Sequence, residues 1–319
     1  MLAPRHRLPT ADVPHPDPRF AACSPRAPLS MRRFAVVTTC HAAGYETYGR
    51  LMAQTFLQYW PAEVTLDFYT EGFDCELRDG RLRTHDLLAS SPGLVAFKQR
   101  HADNPVAHGK KPPFRRLTLP GGIAIPLPLR SRKKSYRYNA VRFAHKTFAI
   151  FDAARRVDAD VLIWVDADTR FFAPVTLEML DSFMPPDCFV GCLRRPKFTE
   201  AGFVTYNLRH PQTAQFLDDF ERLYTQDLLF AEREYHDAFL FDVVRERAEA
   251  RGARSYDIAE GVGAKASHVL INSRLGCFMD HMKGNRKESG QSRAGDLVVA
   301  RDETYWQECG SAPTKPGKP

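Results

Sequence analysis

Two carboxylates stand together near the middle of the chain, directly after a short and wholly apolar run. The run Val161–Val165 is followed by Asp166 and, one residue later, by Asp168. In an extended backbone the side chains of residues i and i+2 point the same way, so these two carboxylates can converge. Carboxylate oxygens are the ligands that hard divalent cations prefer, and such a cation binds phosphate oxygens in turn. The alternative for an isolated Asp-x-Asp pair is a polar strand end that turns into solvent.

A second candidate group lies far downstream. The segment from His281 to Lys287 has the form His-x-x-Gly-x-x-Lys, with Gly284 at its centre. A neutral imidazole can complete a metal shell that carboxylates begin. A glycine lets the backbone approach a phosphate closely, and a lysine adds a positive charge. Together, the two motifs indicate a site where a metal and a lysine address one anionic group.

The combination resembles the family 8 glycosyltransferases of the GT-A fold, in which a strand-terminal Asp-x-Asp is followed late in the chain by His-x-x-Gly-x-x-Lys. The resemblance implies that Asp166, Asp168 and His281 bind Mn²⁺, or Mg²⁺ in its place. It also implies that Gly284 and Lys287 contact the diphosphate of a nucleotide sugar. The implied reaction moves a sugar from a UDP-sugar donor to an acceptor hydroxyl, with the anomeric configuration retained. The acceptor stays open among a glycan, a lipid-linked sugar and a protein.

The same resemblance points to two further carboxylates as catalytic candidates. Glu200 precedes Ala201 and Gly202, where the family often has Asn-Ala-Gly lining the donor-sugar and acceptor pocket. Asp237 is the best match to an Asp-Gln dipeptide that opens a helix beside the donor sugar. Either carboxylate could orient the acceptor or stabilise positive charge on the sugar. Asp237 is equally typical of negative charge at a helix start, and Glu200 fits an ordinary loop carboxylate. After Lys287, the family's usual Pro-Trp is replaced by Glu-Ser.

These residues need a scaffold whose strands end at one edge. Alternating strand-like and helix-like segments predict an α/β fold of the GT-A type, a single Rossmann-like domain with a mixed, mostly parallel central sheet flanked by helices. Strands are predicted at 34–40, 64–69, 81–88, 161–165, 188–192, 203–207 and 267–271, and helices at 45–59, 139–156, 176–183 and 212–229. A disordered leader at 1–30 and a disordered tail at 310–319 are expected around a domain at 31–309. Within it, 104–134 is expected to be a mobile basic loop near the nucleotide, with a plain solvated insertion as the alternative.

Contacts to the nucleotide are predicted from position along the chain. On the helix predicted before the aspartate-bearing strand, Arg142 and Lys146 share a flank away from the core face. The resemblance favours phosphate or nucleotide contact there, and a solvated basic edge is the alternative. Thr38, Thr39 and Tyr45 lie around the end of the first strand, where contacts to the base and ribose are expected. Tyr45 fits equally well as an amphipathic residue packed on the neighbouring helix.

Composition narrows the classes of function. The chain has 319 residues, 44% of them hydrophobic, and can therefore bury a large core. An excess of 45 Lys and Arg over 38 Asp and Glu gives a formal charge of +7, which favours anionic partners. No Gly-x-Gly-x-x-Gly follows the first strand and no Walker motif occurs, so dinucleotide oxidoreductases and P-loop enzymes lose support.

Two alternatives to a glycosyltransferase remain. A sugar nucleotidyltransferase also uses strand-end carboxylates and a metal, but generally has a glycine-rich and basic loop after its first strand, where this chain has Thr38, Thr39, Cys40 and His41. A non-enzymatic nucleic-acid- or anion-binding module fits the charge, the basic insertion and nearby aromatic residues such as Tyr136. Nucleic acid is the less expected partner.

Cysteine usage and hydropathy bear on location. Seven scattered Cys residues make no disulfide framework, which favours a reducing compartment. No apolar segment reaches the ~18 residues of a membrane span, and the N-terminus lacks the apolar stretch of a secretory signal. We therefore expect a cytoplasmic protein, with a peripheral position at the inner membrane face left open.

Overall fold

The structure is a computed structural model that describes residues 32–118, 124–128, 133–262 and 268–308. The predicted leader and tail, and part of the basic insertion, lie outside the described residues.

The strands are β1 Phe34–His41, β2 Thr65–Glu71, β3 Leu82–Asp86, β4 Phe114–Thr118, β5 Ala124–Pro128, β6 Val161–Val165, β7 Thr169–Phe171, β8 Val190–Leu193, β9 Glu200–Asn207, β10 Ser255–Asp257 and β11 Met279–His281. The α-helices are α1 Ala42–Gly44, α2 Arg50–Tyr59, α3 Leu87–Ser90, α4 Pro92–Arg100, α5 Ala140–Arg156, α6 Leu177–Ser182, α7 Pro211–Thr225, α8 Asp237–Ala250, α9 Val269–Asn272, α10 Arg286–Ser289 and α11 Thr304–Glu308.

The centre of the fold is a seven-stranded sheet with the order β10-β8-β9-β6-β1-β2-β3. Neighbouring strands are parallel except around β9, which runs antiparallel to both β6 and β8. The predicted mixed, mostly parallel sheet flanked by helices is confirmed. Two small antiparallel pairs lie beside it, β7 with β11 and β4 with β5. The second pair is a hairpin within the basic insertion.

The central sheet is covered on both faces. On β1, Phe34 and Val36 belong to a core cluster that contains α2 and α6 residues, whereas Ala35 and Val37 belong to a second cluster with α5, α7 and α8 residues. This alternation is the period of two that an extended backbone imposes. Because both faces are buried, the central strands read as continuous apolar runs, and β6 is buried at all of its positions.

Local sequence explains where the helices that flank the site begin. The Asn139 side chain accepts a hydrogen bond from the Arg142 N–H at 3.2 Å and so caps α5. The His236 ring likewise accepts from the Phe239 N–H at 3.3 Å at the start of α8. Thr176 caps α6 through the Met179 N–H, as its position before an amphipathic run predicts.

The strand predicted at 267–271 is wrong. The described residues of that segment include α9, whose four residues are all buried. A short buried helix and a short buried strand give the same continuous apolar pattern, so periodicity does not separate them. Among the described helices, none combines the length and apolar character needed to cross a bilayer.

The pairing of β7 with β11 carries a late chain segment to the middle of the sheet. His281 lies opposite Thr169 in this antiparallel pair. Because β7 begins directly after Asp168, the pairing brings His281 to the aspartates. The carboxylate of Asp280, fully buried, accepts hydrogen bonds from the Ser292 N–H and hydroxyl and fixes β11 from behind.

Candidate metal and phosphate site

Asp166, Asp168 and His281 converge at the carboxyl end of β6. One ligand atom from each lies within 4.8 Å of the others. His281 Nε2 is 3.2 Å from Asp168 Oδ1 and 3.4 Å from Asp166 Oδ2. Adjacent ligands of a six-coordinate ion with bonds of about 2.1 Å are separated by about 3 Å. The spacing and the oxygen and imidazole donors therefore fit a divalent cation such as Mn²⁺ or Mg²⁺.

Charges in this cluster are strongly coupled. Burial alone would raise the pKa of the Asp166 carboxyl, but Lys146 and His281 outweigh burial and hold that pKa well below its usual range. The pKa of Asp168 is lowered in the same way, against burial, by His281 and Lys287. Burial would lower the pKa of the His281 imidazole, but the two aspartates raise it to about 9. Without a metal, the protonated His281 imidazole balances the negative charge of Asp166 and Asp168. A metal that binds this imidazole would have to displace its proton.

Lys146 joins the aspartate pair to the start of α8. Its Nζ lies 2.8 Å from Asp166 Oδ1, 2.9 Å from Asp237 Oδ2 and 2.6 Å from the Ala201 carbonyl oxygen. The side chain is 14% exposed, and its pKa is raised because the two carboxylates outweigh burial. Two site residues predicted from distant segments, Lys146 and Asp237, therefore form one buried ion network with Asp166.

Lys287 approaches the cluster from the Asp168 side. Its Nζ lies 2.7 Å from Asp168 Oδ2 and 4.7 Å from the centroid of the Tyr48 ring. Gly284 has φ of +61°, in the left-handed region that favours glycine, and the turn at this residue leads the chain from β11 into the short helix that bears Lys287. The His-x-x-Gly-x-x-Lys spacing thus places its first and last residues on the same carboxylate.

Glu200 lies on the opposite side of the His281 ring from the aspartates. Its carboxylate is 3.8 Å from His281 Nδ1, forms an ion pair with Lys283, and lies 3.1 Å from Arg195. Burial would raise the pKa of Glu200, yet Lys283, His281 and Arg195 lower it to about 2. The buried Nδ1 has no hydrogen-bond partner among the described residues. Glu200 is therefore the ionised carboxylate nearest to that nitrogen, and it favours the tautomer whose Nε2 is free for a metal.

Gly202 lets the imidazole sit against β9. A Cβ at this position would lie 2.6 Å from both Cε1 and Nδ1 of His281, closer than real contacts allow. The Gly202 carbonyl also accepts the Asp166 N–H at 2.9 Å. The glycine of the Glu-Ala-Gly segment is thus required by close approach of a metal-ligand candidate.

Other residues predicted to bind the nucleotide lie elsewhere. The Thr38 side chain is fully buried, and Tyr45 is 2% exposed, with its ring in edge contact with Phe68. Thr39 is half-buried, and its hydroxyl donates to the Tyr69 carbonyl at 2.8 Å. Arg142 is exposed on the first turn of α5. The structure does not bring these side chains into the ion cluster.

The cluster also contains residues that no sequence motif indicates. The buried Trp164 donates its indole N–H to Asp166 Oδ1 at 2.7 Å. Lys146 Nζ lies 4.8 Å from the centroid of the same Trp164 ring. A buried tryptophan in a strand needs an acceptor for its N–H, so this contact had a sequence signal. Arg195 and Lys283 have no such signal, because no motif or spacing in the sequence pairs either of them with Glu200. His268, whose ring N–H donates to the His281 carbonyl at 2.7 Å, also went unnoticed.

Detectable similarity to known proteins is confined to solved structures. No protein-family model and no curated protein is detectably similar in sequence. The apo form of mouse Xyloside xylosyltransferase 1 is a similar solved structure, at 13% identity over 70% of this chain and 84% of that one, with a TM-score of 0.41. The apo WbbM bifunctional glycosyltransferase matches at 13% identity over 73% and 40%, with a TM-score of 0.42. The apo glycosyltransferase GlyE of Streptococcus pneumoniae TIGR4 matches at 13% over 71% and 45%, with a TM-score of 0.37.

The chain spans less than half the length of the WbbM and GlyE chains.

Proposed function

We propose that this protein is a metal-dependent glycosyltransferase of the GT-A type, similar to family 8, which moves a sugar from a UDP-sugar to an acceptor hydroxyl. The observation that carries the proposal is the meeting of Asp166, Asp168, His281 and Lys287 at the carboxyl edge of the sheet, where open α/β sheets bind their ligands. Two carboxylates, one imidazole and one lysine form a site for a metal and a diphosphate together.

In this proposal Asp166, Asp168 and His281 Nε2 hold Mn²⁺ or Mg²⁺. When bound, the metal stabilises negative charge on the leaving diphosphate as a Lewis acid. Lys287 compensates Asp168 in the metal-free protein. With a divalent cation held by Asp166, Asp168 and His281, the Lys287 ammonium group would be free to bind the diphosphate, and Gly284 supplies the left-handed turn between His281 and Lys287. The chain thus keeps its carboxylates neutralised both with and without ligand.

We assign different roles to the two remaining carboxylates. Glu200 acts through His281, whose Nδ1 it faces, and is a positioning residue. Asp237 belongs to the Lys146 network, and we assign the donor sugar to the space beside that network. There it can stabilise positive charge on the sugar and orient the acceptor. Retention of configuration and a cytoplasmic location stay predictions from sequence.

We propose nucleotide contacts for fewer residues than the sequence suggests. Arg142 is exposed at the start of α5, and the half-buried Thr39 lies near the end of β1, so both can contact a nucleotide. The side chains of Thr38 and Tyr45 are buried in the core and are left out of the proposal. An anion-binding module without chemistry needs no set of metal ligands, and the converged Asp-Asp-His group favours the enzyme.

The test is a panel of sugar nucleotides with and without Mn²⁺, scored by thermal shift and by donor hydrolysis. We expect hydrolysis of a UDP-sugar that requires Mn²⁺ and stops with a chelator. Binding that ignores Mn²⁺ and weakens steeply with salt would instead indicate a phosphate-binding module and overturn the proposal.

A further inference from the structure

We propose that the acceptor of this enzyme carries an oxyanion, either a phosphate or a carboxylate, and that a basic cleft beside α8 binds it. This inference rests on the proposed glycosyltransferase function and adds the chemical class of the second substrate. The cleft has a volume of about 410 Å³ and is lined by Arg137, Pro196, Lys197, Phe198, Arg233 and Glu234.

The lining of this acceptor cleft is positively charged. The cleft contains three cationic side chains. One of them, Arg137, lies 3.3 Å from Glu234 and is paired with it. Lys197 and Arg233 form no ion pair with any residue in the part of the chain that the structure describes. Arg233 is held in place by the ring of Phe239, whose centroid lies 5.0 Å from its guanidinium carbon. Two cations are therefore left for a ligand, and guanidinium groups match phosphate and carboxylate oxygens well.

The acidic member of the lining does not oppose an anion. Glu234 is 8% exposed, and besides Arg137 it contacts His236 Nε2 at 3.1 Å. Its pKa is lowered, against burial, by His236, by Arg137 and by the nearby charge of Arg233. The Glu234 charge is thus compensated within the wall, where it fixes the direction of Arg137.

One wall of the cleft contains the apolar residues Pro196 and Phe198. The Arg195 guanidinium lies 4.7 Å from the centroid of the Phe198 ring, donates to the Phe198 carbonyl oxygen at 2.8 Å and reaches Glu200 at 3.1 Å. Through Arg195, Phe198 is therefore linked to Glu200 of the charged site. An apolar wall opposite cations suits a sugar ring that bears a phosphate or a carboxylate.

Both walls continue into the proposed catalytic site. The Phe198 ring packs against His236, with centroids 4.6 Å apart, and the next residue is Asp237. Asp237 contacts Lys146, which contacts Asp166. Lys287, assigned to the donor diphosphate, contacts the other aspartate, Asp168. An acceptor anchored by its oxyanion in the cleft therefore approaches from the Asp237 side and can present a hydroxyl there.

The inference is tested by calorimetric titration of the full-length protein in a chelator, with glucose 1-phosphate, glucuronate and glucose as probes. We expect at least one anionic sugar to bind about tenfold or more tightly than glucose, since a charged hydrogen bond contributes on the order of 1.4 kcal/mol or more. A preference for glucose 1-phosphate would identify a phosphate, and a preference for glucuronate a carboxylate. Equal binding of glucose and both anions would overturn the inference.

Variants locate the bound anion. Lys197→Gln and Arg233→Gln are each expected to weaken binding of the preferred anion about tenfold. Arg222→Gln, which removes an exposed cation of α7 outside the cleft, is the matched control and should bind as wild type. Loss of binding in Lys287→Gln with full binding in the two cleft variants would place the anion at the donor site and overturn the inference.

The two proposals fail separately. Absence of Mn²⁺-dependent donor hydrolysis in the wild-type protein would remove the glycosyltransferase function, whatever the anion titration shows. Selective hydrolysis of a UDP-sugar together with no preference for anionic sugars would keep the function and remove the acceptor class.

Discussion

His281 Nε2 lies 3.2 Å from Asp168 Oδ1, although 113 residues separate the two along the chain. Because β11 pairs with the strand that starts immediately after Asp168, this contact is built by backbone pairing and not by side-chain reach alone. The position of the imidazole is therefore fixed by the same hydrogen bonds that hold the sheet extension together. A rigid ligand set of this kind favours metal binding without a large ordering cost.

The first prediction concerns pH in the metal-free protein. His281 has a pKa raised from 6.5 to about 9, so its protonation stabilises the fold fully below about pH 6.5, and this contribution is lost as the pH rises through 9. We expect the free energy of unfolding in a chelator to fall by about 3 kcal/mol from pH 6.5 to 9.5. Denaturant titrations measure it, and His281→Gln should lack this decline. An equal decline in His281→Gln would contradict the assignment.

The second prediction concerns Gly202. Gly202→Ala places a methyl group 2.6 Å from His281 Nδ1 and Cε1, so the ring must move away from the aspartates. We expect Mn²⁺ affinity to fall by about tenfold to a hundredfold, as happens when the support of a metal ligand is disturbed. Gly80→Ala is the control, because a methyl group added at Gly80 would meet no atom of the described residues within 4 Å. Unchanged Mn²⁺ affinity in Gly202→Ala would show that the ring does not bind the metal.

The third prediction separates positioning from catalysis at Glu200. Removing its charge in Glu200→Gln leaves Lys283 and Arg195 without their shared carboxylate and His281 Nδ1 without its nearest negative charge. We expect weaker Mn²⁺ binding, by about tenfold or more, measured by titration without donor. Glu288→Gln, an exposed change on α10, is the control. A lower kcat with unchanged Mn²⁺ affinity would instead make Glu200 a catalytic residue.

The fourth prediction concerns Lys146. Lys146→Met leaves the carboxylates of Asp166 and Asp237, whose side chains are 27% and 11% exposed, without their common cation. Since removal of one partner from a buried ion network costs about 3–5 kcal/mol, we expect metal-free Lys146→Met to lose stability on that order. Lys98→Met on α4 serves as the control, with a change expected within about 0.5 kcal/mol. A loss for Lys146→Met no greater than for Lys98→Met would contradict the proposed network.

The parts of this fold that sequence predicts best are those with long patterns. The amphipathic helix expected at 139–156 is α5, Ala140–Arg156, and the apolar run before the aspartates is β6. The predicted strand at 267–271 failed because a four-residue buried helix has no period long enough to detect.

Sequence patterns also do not predict the direction in which an individual side chain points. Thr38 and Tyr45 stand where nucleotide-binding residues of such sheets gather, but their side chains point into the core. The contact between Glu200 and His281 was also beyond sequence reasoning, because it depends on how β9 lies beside β11. By contrast, Asp168 and Lys287 each belong to a recognisable motif, and the structure places the two residues in one cluster.

The central claim is that one metal ion joins the two distant segments, and titration of Mn²⁺ followed by electron paramagnetic resonance tests it most directly. We predict one tight Mn²⁺ per chain in the wild-type protein, and loss of that tight binding in both Asp168→Asn and His281→Gln while each variant stays folded by circular dichroism. Tight Mn²⁺ binding that survives in both variants would contradict the account.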